Sequence, residues 1–580
     1  MRLAIIHKEK CKPLACGGVC KNVCPVNKKG EVECVKIGDK AEIDEPLCVG
    51  CGICQKRCPF EAIEIVNLPA VKEENLVYRY GENGFALYGL PIPKEGSVLG
   101  LLGRNGIGKS TAIEILAGKK KINLGQEFAN EKEQEIAVRE YFQGNELLRY
   151  FDNMKGKKIS YKPQNLSSLS VDVSVFSLLE KRGKKHDIEI LTKKLGAEHI
   201  LHNKLNKLSG GELQKVAIIA ATLGEADIYF FDEPLAYLDI TERLKVSDFI
   251  REIAKNKTVI VVEHDLLILD YLTDYLNVFY GQQGCFGLVS GVKATKHGIN
   301  SYLSGFLKEE NLRIRDKEIN FNFTKNKQTA GQIIAQWPEF ELDFKQFKLE
   351  VSAGDVRENH VIGILGKNGT GKTSFVKSLA GLEEVQVNGK SRKLNLDLKI
   401  SYKPQYIHNN EEGLVLDIIR KEKINKKTAS MFNLEVLSQK KISELSGGEL
   451  QRFSIARCLA KEADIYLIDE PSAYLDVEER IACAKAIKEI MSEKQKTAFV
   501  VDHDLLLISY LADSVIVFSG ESGKYGNSSE IMEFEQGISM LLKELDITLR
   551  KDKESGRPKI NDRGSVLDRE QKREGKFAIF

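Results

Sequence analysis

"LLGRNGIGKST" (residues 101–111) and "GKNGTGKTS" (residues 366–374) carry one pattern, G-x-x-x-x-G-K-[ST], written twice. The glycines of such a loop let backbone N–H groups converge on a β-phosphate, and a helix N-terminus behind them adds a favourable dipole. The candidate phosphate loops are Gly103, Arg104, Asn105, Gly106, Ile107, Gly108, Lys109, Ser110 and Thr111, and Gly366, Lys367, Asn368, Gly369, Thr370, Gly371, Lys372, Thr373 and Ser374. Lys109 and Lys372 are expected to reach the β- and γ-phosphates, while Ser110 and Thr373 place hydroxyls on Mg²⁺. One glycine-rich turn is a weak signal. Two in register, each with a carboxylate strand downstream, are a strong one.

The repeat extends well beyond the loops. Lys109, Gln164, Ser209, Glu233 and His264 recur in order as Lys372, Gln405, Ser446, Glu470 and His503. The serine-to-glutamate interval is 24 residues in both copies, whereas lysine to glutamine is 55 in the first and 33 in the second. The first copy therefore carries an insertion of about 22 residues. β-rich apolar runs alternate with helical stretches in each copy, the pattern of an α/β domain with a mostly parallel sheet.

"IYFFDEP" and "IYLIDEP" end buried strands in Asp-Glu. Asp232 and Asp469 suit the metal side of the site, and Glu233 and Glu470 suit the alignment of an attacking water. His264 in "VVEHD" and His503 in "VVDHD" follow the next apolar strand and are placed to contact a γ-phosphate. Gln164 and Gln405, both in "YKPQ", can sense the magnesium and the water. "LSGGELQ" at 208–214 and 445–451 offers a serine hydroxyl and free N–H groups at a helix start, an anion site formed by Ser209, Gly210 and Gly211 and again by Ser446, Gly447 and Gly448.

Nine of the twelve cysteines lie in the first 58 residues. Cys48-x2-Cys51-x2-Cys54-x3-Cys58-Pro59 has the bacterial ferredoxin spacing, and Cys11-x4-Cys16-x3-Cys20-x3-Cys24-Pro25 is a looser version. In ferredoxins the last cysteine of a run serves the other cluster. One [4Fe–4S] cluster would use Cys48, Cys51, Cys54 and Cys24, the other Cys11, Cys16, Cys20 and Cys58, with Cys34 left over. Zinc is the competing reading of Cys-x2-Cys, and the Cys-Pro endings favour iron–sulfur. The chain, with 580 residues, 42% hydrophobic and 29% charged residues and a net charge of +3, has the composition of an ordinary multidomain globular protein. No apolar run reaches membrane-spanning length and the start lacks a signal-peptide pattern, so a cytoplasmic location is expected.

Twin phosphate loops, "LSGGELQ" and "DEP" together resemble the ABC-type ATPases. The addition of a two-cluster ferredoxin-like domain resembles one branch of them, the ABC-E family of ribosome-recycling ATPases (RNase L inhibitor), as do "FQGNELLRYF" at 142–151, "HGINSYLSGFLKEENLRIRD" and "INDRGSVLDREQKR". The resemblance implies an α/β protein with two ABC nucleotide-binding domains and an N-terminal α+β iron–sulfur domain. Its expected divisions are residues 1–70 for the cluster domain and 71–290 for the first ABC domain, with a helix-loop-helix insertion near 137–156. A hinge at 291–330, a second ABC domain at 331–525 and a C-terminal hinge with a basic tail at 526–580 complete the chain.

It further implies a monomer with head-to-tail halves, each signature segment closing the opposite site, and with Asp239 and Asp476 of the two "AYLD" segments coupling the sites. Adenine platforms are expected ahead of the loops, at Tyr80 and Trp337, with Phe85 and Phe347 as alternatives. The implied cofactors are two [4Fe–4S] clusters, ATP and Mg²⁺. The implied partners are the small ribosomal subunit, with Arg149, Arg313, Arg315, Arg569 and Arg573 on rRNA phosphates, and a release factor or Pelota-type rescue factor. Two other classes stay open: an iron–sulfur redox protein coupled to ATP hydrolysis, and the ATPase subunit of a transporter.

Overall fold

The computed structural model describes residues 2–30, 32–67, 75–169, 171–319, 321, 331–405 and 412–579. In each ABC domain the central strands are short, β-branched and apolar on both faces, as strands covered by helices on both sides must be. Val98–Leu102, Ile228–Asp232 and Thr258–Val262 are buried throughout, and so are Val361–Gly366, Ile465–Asp469 and Thr497–Val501. The first sheet runs Tyr275–Gln282, Val98–Leu102, Thr258–Val262, Ile228–Asp232, Ile159–Lys162, all parallel, with Phe286–Val289, Ala86–Tyr88 and Leu76–Arg79 added in mixed orientation beyond Tyr275–Gln282. The second repeats this order with Ser514–Glu521, Val361–Gly366, Thr497–Val501, Ile465–Asp469 and Ile400–Lys403.

The halves differ where their spacing differs. Between phosphate helix and "YKPQ", the second half has only a hairpin, Glu384–Val387 with Lys390–Lys393. The first half has two helices, Glu131–Tyr141 and Glu146–Met154, N-capped by the Asn130 and Asn145 side chains and joined through Gly144 at φ 80°. Phe142, Leu147 and Tyr150 are buried against the domain, and Arg149 lies on the exposed side.

Each ABC sheet also runs past its expected end. Lys293–Ala294 pairs with Tyr275–Leu276, and Tyr525–Ser528 and Met532–Glu533 pair with Ser514–Glu521. A helix follows each, Thr295–Ser304 and Phe534–Glu544.

The segment expected as a basic tail is folded. Leu549–Lys551, Pro558–Ile560 and Ala578–Ile579 form a sheet beside the helix Val566–Glu574. Arg557 is fully buried and pairs with Asp270 of the first ABC domain at 2.7 Å. Removing one partner of so buried a pair costs about 3–5 kcal/mol, because the other charge is stranded.

The N-terminal domain pairs Arg2–Ile6 with Ile63–Asn67 and holds four short helices over a core in which cysteines pack among alanine, isoleucine and valine. It docks on the first ABC domain through a bidentate pair, Arg79 Nη1 and Nη2 to the Glu45 carboxylate at 2.9 and 2.6 Å. Buried Asn83 adds bonds to the Ile43 N–H and C=O at 2.8 and 2.9 Å.

Candidate functional site

Parallel order brings three loops to the carboxyl ends of adjacent strands, where ligands bind in open α/β sheets. The strand Val98–Leu102 leads into the phosphate loop, Ile228–Asp232 into Asp232-Glu233, and Thr258–Val262 into Glu263-His264. Gly108 and Gly371 start the phosphate helices at φ 96° and 98°, a left-handed conformation that glycine adopts without steric cost.

Lys109 Nζ donates to the Gly103 and Arg104 carbonyls, both at 2.7 Å. Lys372 donates likewise to Gly366 and Lys367 at 2.9 and 2.6 Å. Burial pushes both ammonium groups down to about 8, against the attraction of the neighbouring carboxylates. Thr373 Oγ1 donates to Asp469 Oδ2 at 3.0 Å, placing hydroxyl and carboxylate where a cation between them would find both. Burial raises the carboxyls of Asp232 and Asp469 alike.

Glu233 and Glu470 both sit at φ 47°, a strained angle for glutamate. Gln164 and Gln405 donate to their Oε1 atoms at 2.7 Å. His264 Nε2 lies 3.4 Å from Glu233 Oε1, and His503 Nε2 3.7 Å from Glu470 Oε1. The two sites differ electrostatically. Burial raises Glu233, but His264, Lys109 and Gln164 outweigh it and hold the carboxyl down to about 2. At Glu470 burial prevails, so its carboxyl is raised, and burial keeps His503 well below the usual imidazole range.

Lys162 and Lys403, the lysines of "YKPQ", escaped the sequence reading. Lys162 Nζ donates to the Asp232 and Glu233 carbonyls at 2.8 and 3.0 Å, and Lys403 to those of Asp469 and Glu470 at 2.7 and 3.3 Å. Gln214 and Gln451, which end each "LSGGELQ", donate to the Glu233 and Glu470 carbonyls at 2.5 Å. Their recurrence in both copies was the available signal.

The halves face head to tail. One cleft of about 880 Å³ joins Ser209, Gly210 and Gly211 to Lys372 and Thr373, and Ser446, Gly447 and Gly448 to Asn105, Glu233 and His264. Asp239 Oδ2 accepts the Asn368 N–H at 2.7 Å, and Asp476 Oδ2 accepts the Asn105 N–H at 2.9 Å. Tyr237 and Tyr474 meet edge to face between them, with centroids 6.2 Å apart.

The aromatic expectations divide. Tyr80 is exposed beside the first phosphate helix, its hydroxyl 3.0 Å from Thr111 Oγ1. Trp337 is a core residue and not a platform. It is 3% exposed, packs on Phe375 and Phe499, and spends its indole N–H on the Ser352 carbonyl at 2.9 Å, so it offers no face to a base. Phe347 lines the cleft instead.

The cysteines gather in two groups of four. Cys11, Cys16, Cys20 and Cys58 line one small cavity, and Cys24, Cys48, Cys51 and Cys54 line the other. Backbone N–H groups of Ala41 and Ala62 point at Cys11 Sγ and Cys58 Sγ, each at 3.4 Å. Thiol sets of this kind with N–H donors to sulfur fit [4Fe–4S] clusters. Cys34 borders the second cavity, and burial beside Cys24 and Cys48 pushes its thiol up to about 12.

Comparison with known proteins agrees with this geometry. Residues 93–236 and 349–473 match the ABC transporter family, residues 41–64 the 4Fe-4S binding domain, and residues 1–31 a possible Fer4-like domain in RNase L inhibitor. ABC transporter E family member 1 of Arabidopsis thaliana is 40% identical, covering 99% of this chain and 98% of its own. The archaeal ABCE1 of a ribosome-bound complex with Pelota superposes with a TM-score of 0.93 at 45% identity, over 100% of this chain and 99% of that one. An archaeal ribosome recycling factor, aABCE1, in complex with ribosomal stalk protein aP1 gives 0.81 at 43%, over 88% of this chain and 100% of that one. Among the described residues no helix is long and apolar enough to cross a membrane. The protein is an ABC-type ATPase whose cofactors are 4Fe–4S clusters, ATP and Mg²⁺, and by full-length similarity it belongs to the ABC E family, that of the RNase L inhibitors.

Proposed function

We propose that this chain is an ATP-driven, cytoplasmic ribosome recycling factor that splits ribosomes into subunits after termination or stalling. The observation that carries the reading is the reciprocal contact of Asp239 with Asn368 and Asp476 with Asn105. Neither nucleotide site is complete within its own half. ATP bound at Lys109 meets the helix start at Ser446–Gly448, and ATP at Lys372 meets Ser209–Gly211, so nucleotide draws the halves together.

Glu233 and Glu470 align the attacking water, held by Gln164 and Gln405, while Lys162 and Lys403 fix the backbone that carries them. Ser110 with Asp232, and Thr373 with Asp469, would hold Mg²⁺, which would supply charge neutralisation for the phosphates. Loss of the γ-phosphate removes the charge that both halves share. The site is then free to open.

The iron–sulfur domain rides on the first ABC domain through Arg79–Glu45, so closure of the halves moves it as one lever. Its clusters, held by the two cysteine sets, stiffen a domain too small to build much apolar core. The ribosome-facing surface we assign includes the exposed arginines Arg149, Arg313, Arg569 and Arg573. Arg315 does not join them, because its guanidinium pairs with Glu478 at 2.7 Å and lies over the Tyr302 ring. A release factor or Pelota-type rescue factor would share the ribosome with it, as Pelota does in the archaeal complex.

Co-sedimentation tests the reading. The Glu233→Gln, Glu470→Gln double variant should bind ATP, fail to hydrolyse it and accumulate on small subunits. Absence from small subunits with ATP bound would refute it.

A further inference from the structure

We propose that His7, Glu64 and Cys285 form a binding site for a divalent cation of the zinc class, at the seam between the iron–sulfur domain and the first ABC domain. His7 and Glu64 belong to the first, at the end of the strand Arg2–Ile6 and on Ile63–Asn67, and Cys285 to the second, one residue before the strand Phe286–Val289. His7 Nε2 lies 3.1 Å from Glu64 Oε1, and Cys285 Sγ lies 2.9 Å from Glu64 Oε2. One ligand atom from each residue falls within 4.8 Å of the other two. In a tetrahedral zinc site, ligand atoms stand roughly 3.5 Å apart, so modest side-chain adjustment would bring the three to that spacing.

The donor set suits zinc. Imidazole, thiolate and carboxylate are its three protein ligand types, and one thiolate with one carboxylate cancels the charge of a divalent cation. Cys285 is fully buried, and burial beside the Glu64 carboxylate keeps its thiol protonated when no cation is bound. On binding, the cation takes the place of the thiol proton, which leaves to solvent, and a Zn–S bond forms without any redox change. His7 and Glu64 keep 15% and 27% of their side chains exposed, which leaves an entry path from solvent. Glu9 Oε1 lies 3.7 Å from His7 Nδ1, on the side where outer carboxylates orient zinc-bound imidazoles.

The location gives the site a consequence. Gly284 N donates to the carbonyl of Gly106 in the first phosphate loop at 3.1 Å, and Gln282 donates to Glu64. A cation here would tie the iron–sulfur domain to the hairpin that touches the first nucleotide site.

The test uses the full-length, cluster-loaded chain free of any affinity tag. Titrated with Zn²⁺ and desalted, it should retain one zinc per chain beyond its iron. Co²⁺ in place of Zn²⁺ should give a thiolate-to-cobalt charge-transfer band. Cys285→Ser should abolish the band, and His7→Gln should weaken zinc binding roughly tenfold or more, with iron content unchanged in both. Failure to retain zinc, or equal retention and an unchanged band in Cys285→Ser, would overturn the proposal.

Discussion

Asp476 divides its carboxylate between two halves of the molecule. Oδ1 accepts the Glu479 N–H at 2.9 Å and caps its own helix, while Oδ2 accepts the Asn105 N–H at 2.9 Å in the opposite phosphate loop. Asp239 does the same with Glu242 and Asn368 at 3.0 and 2.7 Å. Asparagine caps a helix as well as aspartate, but its amide nitrogen cannot accept an N–H.

Asp476→Asn should therefore keep stability within about 0.5 kcal/mol, while ATP turnover falls by about tenfold, the equivalent of one charge-assisted hydrogen bond. Thermal melting and steady-state phosphate release separate the two effects. Normal turnover would show that the contact does not serve catalysis.

The two glutamates should titrate apart. Glu233 is held down to about 2, whereas Glu470 is raised, and each must be ionised to align water. As pH falls from neutrality, Glu470 takes up its proton first. Hydrolysis at the second site, measured in Glu233→Gln, should decline at a higher pH than hydrolysis at the first, measured in Glu470→Gln. Coincident acid limbs would contradict the assignment.

Trp337 and Phe347 should exchange the roles that proximity to the loop suggests. Trp337→Ala opens a buried cavity and should cost about 3–5 kcal/mol of stability. Phe347→Ala, at a half-buried position, should cost less stability than Trp337→Ala and raise the KM for ATP at the second site several-fold. A melting curve and a saturation curve for each variant decide the matter.

Cys51→Ser removes a thiol from the second cysteine group, and folding energy goes with the metal. We expect reduced iron absorbance and lost ribosome splitting, with basal ATPase largely retained because the nucleotide residues lie in the ABC domains. Splitting by a protein shown to have lost its clusters would end the lever account.

Arg149→Glu tests the insertion. Phe142, Leu147 and Tyr150 anchor its helices, so an exposed charge reversal should leave fold and basal ATPase near normal. Small-subunit binding should weaken, and its salt dependence should become shallower by about one phosphate contact. An unchanged salt slope would make the insertion a surface hairpin alone.

The phosphate loops, Asp-Glu strands and signature helices were legible because each is a backbone shape fixed within a few residues. Gly108 must take a positive φ where it stands, and Ser209 caps the helix that starts beside it. The two cysteine sets were legible on a different ground, because the ferredoxin pattern hands the last cysteine of each run to the other cluster, and Cys58 and Cys24 group in that way. What the linear order withheld concerns partners far apart in the chain.

Arg557 reads as one more charge in a basic tail until Asp270 buries it. Arg315 reads as a free cation until Glu478 engages it. Trp337 and Phe347 both precede the second phosphate loop in sequence, and strand pairing turns the indole toward Ser352 and leaves Phe347 on the cleft. Local spacing settles backbone conformation, and with it the chemistry of the loops. Burial and pairing depend on which distant surface arrives, and only the packed tertiary structure brings it.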